Sequence, residues 1–71
     1  MDTKTRIELM ADIENKLNAI IELLIKAKLD ASEVLDAEPR LINLLDFIDQ
    51  VNAGVQVTLV DLETIIKKIY E

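Results

Sequence analysis

Seventy-one residues carrying a net charge of −6, with 51% hydrophobic residues but only 3% aromatic, make one short domain (residues 1–71) built on aliphatic side chains. The chain has no histidine and no cysteine, which excludes a disulfide framework, a thiolate or imidazole metal site, and nucleophilic catalysis of the Ser-His or Cys-His kind. An acidic balance without a basic patch argues against direct nucleic-acid binding, where cationic groups must replace phosphate counterions.

Asp2, Glu8 and Asp12 near the start do not suit a secretory signal. The densest apolar run, Ala19 to Ile25, is interrupted by Glu22 and followed by Lys26. It falls well short of the ~20 residues that span a bilayer. The expectation is a cytoplasmic protein with no membrane partner.

The first element expected is a helix over 5–28. Met10, Ile13, Leu17, Ile20, Leu24, Ala27 and Ala31 step by three and four, which is the spacing of a heptad seam. Ile7, Leu9, Ile21, Leu23 and Ile25 flank it, so only a narrow side holding Asp12, Asn15, Asn18, Glu22 and Lys26 stays polar. Residues 29–38 read as a break or a short turn of helix, which Asp30 and Glu33, with the spacing of a capping box, would start. Pro39 suits the first turn of a second helix over 39–52, with Leu41, Leu44, Leu45, Ile48 and Val51 on its apolar face. Gly54 reads as a left-handed stop and residues 55–57 as an extended connection. Thr58 and Asp61 then open a third helix over 59–69, with Leu59, Leu62, Ile65, Ile66, Ile69 and Tyr70 on its apolar face.

These elements predict an all-α fold, a small bundle of three main helices. At about 1.5 Å per residue the helices are roughly 36, 21 and 17 Å long. Two short helices do not obviously cover both apolar flanks of a long one, so completion by dimerisation around the first helix is expected, as a symmetric homodimer. The expected homotypic surface is Met10, Ile13, Leu17, Ile20, Ile21, Leu24 and Ile25.

No constellation of residues points to catalysis, so no enzyme, cofactor or metal is expected. Ser32 is the only serine. The carboxylate pairs Asp46/Asp49 and Glu33/Asp36 lie one helical turn apart and read as solvated or capping groups. There is no dense oxygen-ligand loop around a glycine, no Glu-x-x-His motif and no glycine-rich phosphate loop. The whole negative excess sits in residues 30–63, where eight acids face Arg40 alone. Glu33, Asp36, Glu38, Asp46 and Asp49 therefore form a candidate acidic surface for a second protein with a basic face, where charge sets association rate and specificity.

The run from Leu29 to Asp49, with Gly54-Val-Gln-Val57 beyond it, resembles the stretch of acyl and peptidyl carrier proteins that leads into their Asp-Ser-Leu motif. In that family the serine carries phosphopantetheine. The matching position here is Phe47, so the resemblance, over about a third of the chain, implies at most a degenerate carrier-like domain without the attachment residue. The leading expectation is a non-enzymatic protein–protein interaction module: a dimerisation or docking domain, a small adaptor or a regulatory subunit. The alternative is an acidic inhibitor that mimics nucleic acid and binds a basic protein.

Overall fold

The structure is a computed structural model that describes residues 1–70. It contains two long helices. Helix α1 runs over Thr3–Val34, and a 3-10 turn over Pro39–Leu41 leads directly into helix α2, Ile42–Tyr70. The two lie antiparallel as a rod whose Cα atoms span 53 × 15 × 15 Å.

This corrects the three-helix expectation at two places. The break expected at residues 29–38 begins only after Val34, because Asp30 and Glu33 continue α1 and do not cap a new helix. The expected stop at Gly54 is absent. Its backbone is helical with no positive φ, and α2 passes through residues 55–57 without interruption. Thr58 does not cap a helix; its hydroxyl donates to the Gly54 carbonyl one turn back at 3.0 Å. The physical reason is the apolar spacing. Ile48, Asn52, Val55, Leu59 and Leu62 keep one face turned to α1 across the glycine. A mid-helix glycine costs only about 0.5–1 kcal/mol, less than that continuous contact returns. The length mismatch that called for dimerisation around the first helix disappears with it, since α2 is 29 residues long against 32 for α1.

The ends are set by local chemistry. Asp2 caps α1, its carboxylate accepting the Thr5 N–H at 2.7 Å. Past Val34 the chain turns, and Glu38 (φ −138°, ψ 79°) lies outside the helical region, which a following proline disfavours in its predecessor. Val34 O accepts the N–H groups of Ala37 and Glu38, and the Arg40 guanidinium grips the Glu38 carboxylate through two bonds across the turn.

The seam between the helices is a heptad pattern on both sides. On α1 the covered or half-covered positions are Ile7, Met10, Glu14, Leu17, Ile21, Leu24, Lys28, Ala31 and Leu35. Leading into and along α2 they are Leu41, Leu45, Ile48, Val51, Asn52, Val55, Leu59, Leu62, Ile66 and Ile69. Burial is shallow: Ala31, Leu45, Ile48 and Leu59 are the buried residues, each still 7–8% exposed. Three of the four gather near the turn, where the small Ala31 side chain lets the backbones approach.

Candidate interaction face

The seam fixes heptad letters for both helices. On α1, Ile7, Glu14, Ile21 and Lys28 take position a, and Met10, Leu17, Leu24 and Ala31 take position d. On α2, Leu45, Asn52, Leu59 and Ile66 are a, and Ile48, Val55, Leu62 and Ile69 are d. Position e flanks a, and position g flanks d. Running one helix backwards relative to the other brings like flanks together, e beside e and g beside g, so the rod has an e side and a g side. Contacts across the e side bear this out. Lys28 Nζ donates to Asp49 Oδ1, an e-position carboxylate, at 2.7 Å. Glu14 shares a shallow groove with Glu63 and Tyr70, both at e.

The two sides differ in chemistry. The e positions are Lys4, Ala11, Asn18, Ile25 and Ser32 on α1 and Ile42, Asp49, Gln56, Glu63 and Tyr70 on α2. They are mixed and carry charge of both signs. From Ile13 to Ile65 the g positions are Ile13, Ile20, Ala27, Val34, Leu44, Val51, Thr58 and Ile65, with no charge among them; only Arg6, at the open end of α1, departs from this. Thr58 is the single polar member, and its donor is already satisfied by the Gly54 carbonyl. Most of these aliphatic residues lie open, Ile13 being 47% exposed, Ile20 41%, Leu44 45% and Ile65 48%, while Val51 is half-covered. Beside them, at position c, Leu23 and Phe47 are exposed at 64% and 61%. The g side is thus a continuous aliphatic strip contributed equally by both helices. An uncovered apolar strip of this length is a candidate interaction surface.

The structure divides the residues expected to form the homotypic surface. Met10, Leu17, Ile21 and Leu24 lie in the seam, half-covered by α2. Ile13 and Ile20 are on the g side, and Ile25 is on the e side, 47% exposed. The most apolar stripe of α1 in the sequence, from Met10 through Ile13 to Ala31, is its d and g positions. The helix does not turn that stripe to α2. It buries a and d, accepting Glu14 and Lys28 into the seam, and leaves g outside. The α2 residues Leu44, Val51, Thr58 and Ile65 were missed as one set, because the expected stop at Gly54 hid their common period of seven.

The acidic residues collect around the turn. Asp36 and Glu38 lie in it, Glu33 is exposed in the last turn of α1, and Asp46 and Asp49 sit early in α2. Two of them are engaged within the chain: Glu38 by Arg40, whose hydrogen bonds hold its carboxyl below the ordinary range, and Asp49 by Lys28. No grouping of three or more acidic side chains able to hold a metal ion occurs among the described residues. The lone Ser32 hydroxyl is spent on the Lys28 carbonyl at 2.9 Å. No described helix is long and apolar enough to cross a membrane. No protein-family model, curated protein or solved structure matches the chain.

Proposed function

We propose that the chain is a non-enzymatic protein–protein interaction module, a helical hairpin that binds through its g side. The carrying observation is that eight g positions, four from each helix, are uncharged, and all of their aliphatic members but the half-covered Val51 are left open along one side of the rod. A chain this short gains little from its own core, and its buried residues are few and shallow. Covering the strip supplies the burial that folding alone leaves undone, at ~25 cal/mol for each Å² of apolar surface removed from water. The residue inventory supports a role without catalysis, since the acids are solvated, capping or ion-paired and there is no imidazole or thiol to act as base or nucleophile.

Site-specific photo-crosslinking in cells expressing the chain tests this reading. A photoreactive residue at Ile20 or Val51 is expected to give covalent adducts with protein, whereas the same residue at Asn18 or Gln56, on the e side, gives none. Absence of adducts from the g side, or equal yields from both sides, overturns it.

A further inference from the structure

We infer that the occupant of the g side is a second copy of this chain, laid face to face with both turns at the same end, so that two hairpins make a four-helix bundle about a two-fold axis along the rod. The inference rests on the g side being the interaction face and adds the partner and its orientation.

The first support is shape. The strip has two helices' width, so a single added helix fills its central groove and leaves the outer rows wet. Another two-helix face of the same length covers both. A face about 45 Å long and roughly 20 Å wide is on the order of 900 Å² per partner, close to the ~800 Å² of a standard stable interface.

The second support is the row of c positions that borders the strip on each helix. Lys28 reaches Asp49 across the seam, and pairing each a position with the d position opposite sets Glu14 beside Leu62 in the same register. The same register puts Lys16 level with Asp61, and Leu23 level with Gly54, on opposite edges of the face. A two-fold axis along the rod turns the α1 edge of one copy onto the α2 edge of the other at equal height. Lys16 then meets Asp61 of the second copy, twice per dimer, and Leu23 settles over Gly54. In the single hairpin, Lys16 has only the exposed one-turn pair with Asp12 at 2.8 Å, and Asp61 has no ion-pair partner among the described residues. Gly54 has no internal reason to lack a side chain, since a Cβ there would meet nothing within 4 Å. A hole for a leucine from outside supplies the reason. The remaining c-position charges, Asp30 and Lys68, lie towards the two ends of the face, close to water.

The opposite arrangement, with the turns at opposite ends, matches α1 edge to α1 edge in reverse. Lys16 then falls on Leu23, Leu9 on Asp30 and Phe47 on Lys68, so every charge in both rows loses an opposite partner, whereas the first arrangement sets only Asp30 against Phe47 and Lys68 against Leu9, near the ends, and pairs Lys16 with Asp61. The charge and size pattern selects the arrangement with both turns together.

Sedimentation equilibrium of the purified chain at micromolar concentration is expected to give twice the 8.0 kDa of the chain. Lys16→Asp and Asp61→Lys should each weaken association about tenfold, and the double swap should restore it to within about threefold. Circular dichroism checks that each variant remains helical. As an independent arm, a mixture of Leu23→Cys and Gly54→Cys chains should form a mixed disulfide in preference to either like pair, and the cysteine-free background leaves no competing thiol. A dimer whose double swap is no better than the single variants, or whose like pairs form first, overturns the orientation. A chain that stays monomeric while cross-links from Ile20 persist in cells overturns self-association and leaves the interaction face standing. Loss of both overturns both.

Discussion

Asp2 lies just outside the first turn of α1, and its carboxylate takes the Thr5 N–H at 2.7 Å. That bond from the Thr5 backbone, with a smaller contribution from the Thr5 side chain, holds the Asp2 carboxyl below its ordinary value. The unfolded chain therefore binds the proton more readily than the folded one. The cap's contribution is complete above the ordinary carboxylate value and is lost as pH falls through the lowered folded value. Protection of the Thr5 amide, taken relative to its intrinsic exchange rate at each pH, is expected to fall across that acid window in the native chain. In an Asp2→Ala variant that protection should be absent at every pH, and a protected Thr5 in that variant counts against the cap. Three hydroxyls show how polar residues sit inside these helices without disturbing them. Ser32, Thr58 and Thr64 each donate to the carbonyl one turn back, at 2.9, 3.0 and 2.9 Å. Their donors are satisfied locally, so Thr58 offers the g side little beyond its methyl group.

Along each element the signal that survives is spacing, and the signals that mislead are single residues. Helicity, the Pro39 turn and the inward positions Leu41, Leu45, Ile48, Leu59 and Leu62 were all legible, because apolar residues recur at three and four and proline cannot continue a helix. The extent of α2 was not. Gly54 and Thr58 carry the local marks of a stop and a start, but tertiary contact with α1 outweighs a propensity cost of about 1 kcal/mol. The choice of face on α1 was also hidden. Two overlapping stripes share the d positions, and only the antiparallel partner shows that a and not g completes the seam. Of the candidate site, Ile13 and Ile20 were expected within a homotypic surface whose other five residues the structure places in the seam or on the e side, while their α2 counterparts required the unbroken register. Since Gly54 has helical dihedrals and open space at Cβ, Gly54→Ala should stabilise the hairpin by about 0.5–1 kcal/mol in urea unfolding at dilutions where the chain is monomeric. A destabilised variant there would mean that the backbone at Gly54 is not helical. Ile48→Ala, which empties one of the few buried sites, should cost about 2–4 kcal/mol in the same measurement. Lys28→Ala breaks an ion pair whose side chains are 45% and 54% exposed and should cost less than about 1 kcal/mol.

In the proposed dimer, stability and association are one equilibrium. A second copy that binds only the folded hairpin raises the melting temperature with protein concentration. Thermal scans across a hundredfold concentration range should therefore show a steadily rising Tm, and a Tm indifferent to concentration would be that of a hairpin standing alone. The Lys16→Asp variant should flatten the dependence at the dilute end. The rod's buried residues are also unevenly placed, with Ala31, Leu45 and Ile48 close to the turn held by Pro39 and the Arg40–Glu38 grip, and only Leu59 farther along. Contacts near the turn close the shortest loops, so they form at the lowest entropic cost. The hairpin is built to zip from that end. Substitutions around Ala31 and Ile48 should slow refolding, while those near Ile7 and Ile69 should speed unfolding and leave the refolding rate almost unchanged.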